Sequence, residues 1–458
     1  MDKKIYFSLS TGWALRNFVS NGVVAGLSRN FQVHLIYPSK FSNFISEHCK
    51  SLDVARTSYD VGKEPISWRL LRQARKKIYL DARDSATEKI WHVYGKRPLY
   101  KIVGACWIRF VVKIFGTSRV SAWLESADML FNRRSSADAI FAGNATDCVF
   151  IATHASTYYD ESLHRAAIDS GARTALLVLS WDHLSSKIVI GFNFDKLFVW
   201  NNVSKSEILH TLPSYDDTCI GIVGAPQFDA YAEKPSLSYR EWCRSVGLDD
   251  SHGFILFSTM PQVRHDGQHR ILELLGRAIK RDSTRFSNLQ ILVKPHPFDD
   301  RSLYQPLEDA GFIKLLPSES DGKGLPEDWL PSRDAAVATR DALYFCQLNV
   351  NIFSTMTLEA AYFDKPIIHI AFDLPGQTNP IPCRKYYDFE HFRPIVESGC
   401  SVLVEDFDSL LDAIVDAVDK PERRSPQRRK VVESYFGIAP GHSGSTLIDE
   451  ISRMVERS

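Results

Sequence analysis

The chain has 458 residues, 44% hydrophobic and 24% charged, and its 55 Lys and Arg balance its 55 Asp and Glu. That length predicts two or three domains with ordinary cores, and the composition excludes wholesale disorder and collagen-like or mucin-like chains. Zero net charge also argues against a protein built to coat nucleic acid, and no nucleic-acid partner is expected.

The start, MDKKIYFSLSTGW, lacks the roughly 7–15 apolar residues and small-residue cleavage site of a signal peptide. No run approaches the roughly 20 apolar residues of a membrane span. The eight cysteines are scattered and form no C-x-x-C pair, so reduced thiols in the cytoplasm are expected.

Short Val/Ile/Leu/Phe-rich runs recur in chain order. The first is Lys4 to Leu9, followed by a helical pattern from Ala14 to Leu27 and a strand from Val33 to Tyr37. Cys148–Ala152, Ala175–Leu179, Leu197–Trp200 and Cys219–Val223 follow, most with a helical segment between. Such runs read as strands buried on both faces of a parallel sheet. After Asp229 the chain turns loop-like, and then the pattern restarts. Strands are expected at Phe254–Phe257, Leu289–Val293, Phe312–Leu316, Asn349–Phe353, Ile367–Ile370 and Val402–Val404. Helices are expected at Arg270–Lys280, Thr355–Phe363, Phe407–Val418 and Ser443–Arg457, the last capped by Ser443 or Ser445. The reading is an α/β chain: a first domain over 1–235, a second over 236–440, and a terminal helix over 441–458 returning to the first.

Residues 61–136 break the pattern. They look helical and hold 16 Lys and Arg against 6 Asp and Glu, with Trp91, Trp107, Phe110, Ile114 and Phe115 among the charges. One reading is a peripheral contact with an anionic membrane. The other is a helical insertion whose apolar stripe packs on the sheet and whose charges are solvated.

Three segments of the second half carry polar chemistry at strand ends. In Leu292-Val-Lys-Pro-His-Pro, prolines on both sides of His296 hold its backbone extended and aim the imidazole beyond the strand, with Lys294 beside it. Such a histidine donates to a phosphate oxygen or acts as an acid. In Asn349-Val-Asn-Ile-Phe-Ser-Thr-Met-Thr-Leu-Glu, Ser354 and Thr355 open a helix whose free N–H groups suit phosphate. Glu359 is within reach of ribose hydroxyls beside it. Ser258 and Thr259 end the first strand of this half, where ligand clefts lie. For each, ordinary capping or turn chemistry is the competing reading.

In the first half, His154 follows one strand and Asp182 another. Both are candidates to take a proton from an acceptor hydroxyl, with Asp182 preferred. Gly224-Ala-Pro-Gln-Phe-Asp229 reads as a hinge. No G-x-G-x-x-G follows the first strand, no P-loop exists, and no cluster points to a catalytic metal or a cofactor. Asp406-Phe-Asp408 is better explained as a helix cap.

These motifs resemble a known group. Two α/β halves with a returning terminal helix look like GT-B glycosyltransferases, with two Rossmann-like domains facing across a cleft and a basic helical insertion in the first. Lys294-Pro-His296-Pro297, Ser354-Thr355-x-x-x-Glu359-Ala360 and Lys365-Pro366 resemble the nucleotide-binding half of bacterial surface-polymer enzymes. These are teichoic-acid glycerophosphotransferases, capsule Kdo transferases with a His-Pro motif and, more distantly, UDP-N-acetylglucosamine 2-epimerases. The epimerase signature would be Gly-rich where this chain has Ser-Thr-Met-Thr. The resemblance implies that His296, Ser354, Thr355 and Glu359 hold a nucleotide-linked donor in a metal-independent reaction. The leading expectation is sugar transfer from a nucleotide-sugar to a glycan or lipid-linked oligosaccharide in capsule or O-antigen synthesis, at the inner face of the cell membrane. The alternatives are a CDP-polyol phosphotransferase of teichoic-acid type and a non-catalytic glycan- or nucleotide-binding protein.

Overall fold

A computed structural model of the chain describes residues 3–82, 84–95, 99–131, 137–141, 148–153, 157–187, 190, 193–212, 214–317, 329–330 and 333–456. It divides into two units: Met1–Glu88, Arg97–Asp229 and Phe436–Ser458 form the first, Lys89–Lys96 and Ala230–Tyr435 the second.

The first unit is a seven-stranded parallel sheet. Its strands are β1 (Lys4–Ser8), β2 (Gln32–Tyr37), β3 (Val54–Ser58), β4 (Cys148–Ala152), β5 (Arg173–Leu177), β6 (Lys196–Val199) and β7 (Ile220–Ile222), in the order β3-β2-β1-β4-β5-β6-β7. Side chains alternate across a strand, so one apolar run feeds two cores. Ile5, Phe7, Val149 and Ile151 face one side, where Leu447, Ile451 and Val455 of the terminal helix join them. Tyr6, Phe150 and Ala152 face the other, against Leu163 and Ala167 of the Tyr158–Asp169 helix.

Two local features depart from the sequence reading. β3 was not expected, because an edge strand leaves Ala55, Arg56 and Ser58 exposed and so lacks an apolar pattern. The expected Ala14–Leu27 helix is broken. It runs as Gly12–Leu15, a wider turn over Arg16–Ser20, and Val23–Leu27, with Gly22 at φ +75° between.

Between β3 and β4 the described residues form the helices Ile66–Ala82, Ala86–Tyr94, Leu99–Phe115 and Thr117–Phe131, and a single turn at Asp138–Phe141. Asp81 ties the first to the third: it accepts a fork from Arg109 (3.0 and 3.1 Å) and pairs with the nearly buried Lys77. Tyr79 donates to the Leu184 carbonyl (3.1 Å), fixing the same helix to the loop after β5. Trp91 goes elsewhere. It packs in the second unit beside Phe389, with the Arg264 guanidinium 4.7 Å from its ring.

The second unit is a six-stranded parallel sheet of β8 (Phe254–Ser258), β9 (Gln290–Lys294), β10 (Lys314–Leu315), β11 (Leu348–Asn351), β12 (Ile367–Ile370) and β13 (Val402–Val404), ordered β10-β9-β8-β11-β12-β13. In both sheets the strand order reverses beside the first strand. Open α/β sheets take ligands at that point, beyond the carboxyl ends of the strands. Asp406 caps the Phe407–Asp419 helix by accepting the Ser409 N–H (2.7 Å).

The terminal helix, Ser443–Glu456, is capped from a distance. The Asp229 carboxylate accepts the N–H groups of Gly441, Ser443 and Gly444 (2.9, 3.1 and 2.6 Å). A carboxylate is favoured there by the dipole and by the orphan donors of the first turn. Gly224, at φ +72°, lets the chain pass against this helix start. A β-carbon at 224 would meet Ser443 Oγ at 2.4 Å and Ile438 Cβ at 2.7 Å. Gly224→Ala is therefore expected to lower the midpoint of thermal unfolding by at least about 2 °C. An unchanged midpoint by calorimetry would mean the terminal segment yields at no cost.

Candidate functional site

Within the second sheet, a line of buried hydrogen bonds runs through polar residues of β8, β11 and β12, with Thr357 of the following helix and Ser401 just before β13. Asn349 Nδ2 donates to Ser258 Oγ (3.0 Å), and Asn351 Nδ2 donates to Asn349 Oδ1 (2.7 Å). Thr357 Oγ1 donates to Asn351 Oδ1 (3.3 Å) and contacts His369 Nε2 (2.9 Å), while Ser401 Oγ contacts His369 Nδ1 (3.1 Å). A hydroxyl has one proton, and Thr357 gives its own to Asn351. His369 Nε2 must then carry the ring proton, and Nδ1 accepts from Ser401. Burial lowers the His369 pKa to about 3, which keeps the ring neutral and preserves this direction of donation. Sequence reading missed Asn349, Asn351 and His369. The available signal was asparagine inside an otherwise apolar strand, where it is disfavoured unless bonded.

The loops beyond the carboxyl edge of this sheet hold the donor candidates. Thr259 is a hub: its Oγ1 donates to Asp299 Oδ2 (2.6 Å) and accepts the His296 N–H (2.7 Å). Asp299, fully buried, also accepts from Tyr304 (2.9 Å) and from the Gln262 N–H (2.7 Å). Burial raises its pKa despite these bonds. The proline-braced loop is thereby pinned from beneath. His296 Nδ1 accepts the Phe298 N–H (3.2 Å), so a neutral ring carries its proton on Nε2 and presents a donor there. Lys294 ends β9, half-buried. Ser258 and Thr259 are themselves almost fully buried, inside these networks.

Ser354 and Thr355 stand at a sharp turn. Phe353, just before them, has φ +43°, a left-handed conformation that costs a non-glycine residue roughly 1–3 kcal/mol. Its ring is held by Phe392, Phe389 and Tyr386 at centroid distances of 4.8, 5.1 and 5.3 Å. Its N–H donates to Tyr387 (3.2 Å), whose hydroxyl donates to the Ile370 carbonyl (2.7 Å). The Tyr387-to-Phe392 segment thus locks the turn and displays Ser354 and Thr355, both half-buried, at the sheet edge. The helix that follows, Met356–Tyr362, is short, and Ser354 Oγ accepts its Met356 N–H (3.2 Å). Glu359 is buried, and its Oε2 accepts from the Tyr231 hydroxyl. Arg384 is committed to Glu405 and Asp388.

In the first unit, Asp182 follows β5, half-buried, and accepts from Ser180 Oγ (2.6 Å). His154 lies outside the described residues. Sequence reading missed Asp160, which sits fully buried beside the ends of β1 and β4. It accepts from Ser8, from Ser10 (2.6 Å) and from Thr157 (2.6 Å). Among the described residues one group brings potential metal ligands together, His265, Asp373 and Cys383, and none of these is a donor candidate.

Residues 114–453 match the family described as CDP-Glycerol:Poly(glycerophosphate) glycerophosphotransferase. A curated relative, teichoic acid ribitol-phosphate polymerase TarK of Staphylococcus aureus, is 30% identical over 114 residues. That match takes in 25% of this chain and spans only 20% of the relative's length. Among solved structures, UDP-GlcNAc 2-epimerase of Methanocaldococcus jannaschii aligns over 98% of this chain and 99% of its own, with TM-score 0.53 and 12% identity. The Neisseria meningitidis UDP-GlcNAc 2-epimerase bound to UDP-GlcNAc aligns over 98% and 100%, with TM-score 0.50 and 11% identity. At such identities the likeness is one of fold, and it bears out the two Rossmann-like domains of the GT-B type.

Burial pushes the Asp160 pKa up to about 6, against the bonds from Ser10, Ser8 and Thr157. An unfolded chain releases that proton near 3.8. Between these values folding takes up a proton. The stabilisation from this group is complete below about pH 4 and lost as pH rises through about 6, about 3 kcal/mol in all. The stability of wild type relative to Asp160→Asn should fall by that amount between pH 4 and 7 in denaturant titrations. A pH-independent difference would contradict the raised value.

Proposed function

Because the chain belongs to the CDP-glycerol:poly(glycerophosphate) glycerophosphotransferase family, we propose that it transfers a phosphopolyol group from a CDP-linked donor to a hydroxyl of a growing surface polymer. The observation that carries this reading is the reach of the family match, which includes every candidate residue of both units. The reading takes the phosphotransferase branch of the sequence-based expectations in place of sugar transfer.

In the proposed reaction the acceptor oxygen attacks the phosphorus that bears the polyol. A new P–O bond forms, the P–O–P bridge breaks, and CMP departs with the electron pair. The acceptor proton passes to a base, for which Asp182 and His154 are the candidates. Negative charge grows on the leaving phosphate. His296 Nε2–H, Lys294 and the hydroxyls of Ser354 and Thr355 are assigned to stabilise it. Ser258 and Thr259 act beneath the ligand: Thr259 fixes the His296 loop and Ser258 anchors Asn349. Glu359, oriented by Tyr231, takes the ribose hydroxyls with its remaining lone pairs.

The Leu99–Phe115 helix supplies a place for a lipid-borne acceptor. Val103, Trp107, Phe110 and Ile114 recur at helical spacing on one face and are 61%, 65%, 55% and 55% exposed. Such a stripe in a basic segment suits an anionic bilayer surface. No helix among the described residues is long and apolar enough to cross a membrane.

Incubation with CDP-glycerol or CDP-ribitol and acceptor should release CMP. Release of UDP from a UDP-sugar, with no CMP from either CDP donor, would return the reading to sugar transfer. Asp182→Ala should lower turnover about 10²- to 10⁴-fold while leaving donor affinity within a few-fold. Glu359→Gln should weaken donor binding about 10-fold by calorimetry, and equal affinity would defeat the ribose assignment. Trp107→Ser with Phe110→Ser should abolish co-sedimentation with phosphatidylglycerol vesicles, and undiminished pelleting would remove the helix from that role.

A further inference from the structure

Three side chains from separate segments of the second unit converge where nothing in the proposed reaction needs them. His265 lies in the loop between β8 and the Gln268–Arg281 helix. Asp373 follows β12, and Cys383 comes ten residues later, at the start of the Cys383–Asp388 turn. One ligand atom of each, a ring nitrogen, a carboxylate oxygen and the sulfur, lies within 4.8 Å of the other two. His265 is completely buried, and neither ring nitrogen has a hydrogen-bond partner. An imidazole buried with both nitrogens unsatisfied is costly, and an unseen ligand is an ordinary explanation. The nitrogen nearest the group, Nε2, stands 3.8 Å from Asp373 Oδ1.

We infer that His265, Asp373 and Cys383 form a divalent metal site of the zinc class. Imidazole, carboxylate and thiolate together match the ligands zinc takes. A tetrahedral zinc holds such atoms about 3.2–3.8 Å apart, so the present spacing closes with small side-chain movement. The ligands are already framed. Asn379 Nδ2 donates to Asp373 Oδ1, and the Cys383 N–H donates to Asp373 Oδ2 (2.9 Å). A carboxylate so engaged keeps lone pairs for a cation. The Cys383 thiol rests on the Ile370 carbonyl (3.2 Å), and its proton would leave to solvent as the metal binds. Asp373 is 31% exposed and gives the ion a way in. The fourth position falls to water. The bound ion would staple the loop carrying Thr259 and His265 to the loop after β12. Those loops already meet through Asp266 N–H to Asn379 Oδ1 (2.9 Å), and Arg270 of the helix that follows reaches the Pro375 carbonyl (3.1 Å). The ion is structural and touches no reacting atom, so the site stands whether or not CMP is the product.

Titrating the chelator-stripped full chain with Co²⁺ tests the site. The expected result is uptake of one equivalent with a thiolate-to-cobalt absorption band that Cys383→Ser removes. Asp373→Asn should weaken the affinity about 10-fold or more. Absence of the band in wild type, or its persistence in Cys383→Ser, would overturn the assignment. Should Cys383→Ser not fold, unchanged affinity in Asp373→Asn would overturn it equally, since that side chain stands on the exposed side.

Discussion

The line of bonds from Ser258 through Asn349, Asn351 and Thr357 to His369 and Ser401 is the constraint on which the second unit's ligand edge depends. Every group in it is buried, so each must be satisfied or the unit loses roughly 1–3 kcal/mol per orphan. Donors and acceptors are used in one order only, which fixes the tautomer of His369 and the amide orientation of both asparagines. The strands cannot slide past one another without breaking the sequence of donations. The edge where Ser354, Thr355 and His296 emerge is therefore rigid before any ligand arrives, as a preorganised phosphate site requires.

Rigidity of the strands is matched by tension in the turn. Phe353 occupies a left-handed conformation, and five aromatic or imidazole rings from one later segment surround it. The motif Tyr387-Asp-Phe-Glu-His391-Phe thus acts on the site without carrying its chemistry. The His296 loop shows the same division of labour. Prolines set its path, and the Thr259–Asp299–Tyr304 hub holds it there.

The sequence pattern is plainest where a short apolar run has clear limits. Ile367–Ile370 and Val402–Val404 have the bounds expected of them, because an apolar run flanked by Pro366 on one side and Ser401 on the other has one plausible extent. The proline brackets of His296 were equally plain. What escaped reading were features with no one-dimensional mark. β3 is an edge strand with polar exposed faces. Asp160 and Asp299 resemble surface carboxylates until the fold buries them among hydroxyls. The terminal helix was expected to carry its own serine cap, yet its cap is Asp229, more than two hundred residues upstream. Trp91 looked like one more aromatic of the basic segment, and its place beside Phe389 depends on contacts that pattern cannot reveal.

The return of the chain's last segment sets an order of assembly. Lys3 donates to the carbonyl of Val455 (2.9 Å), and Leu447 and Ile451 complete a core begun by Ile5 and Phe7. During synthesis, the second unit has all its strands before those residues leave the ribosome. The first unit, although translated earlier, must leave part of one face of its sheet uncovered until Leu447 and Ile451 emerge. Nascent chains truncated before Ser443 would thus carry a finished carboxyl-side unit and an amino-side sheet exposing apolar surface to chaperones.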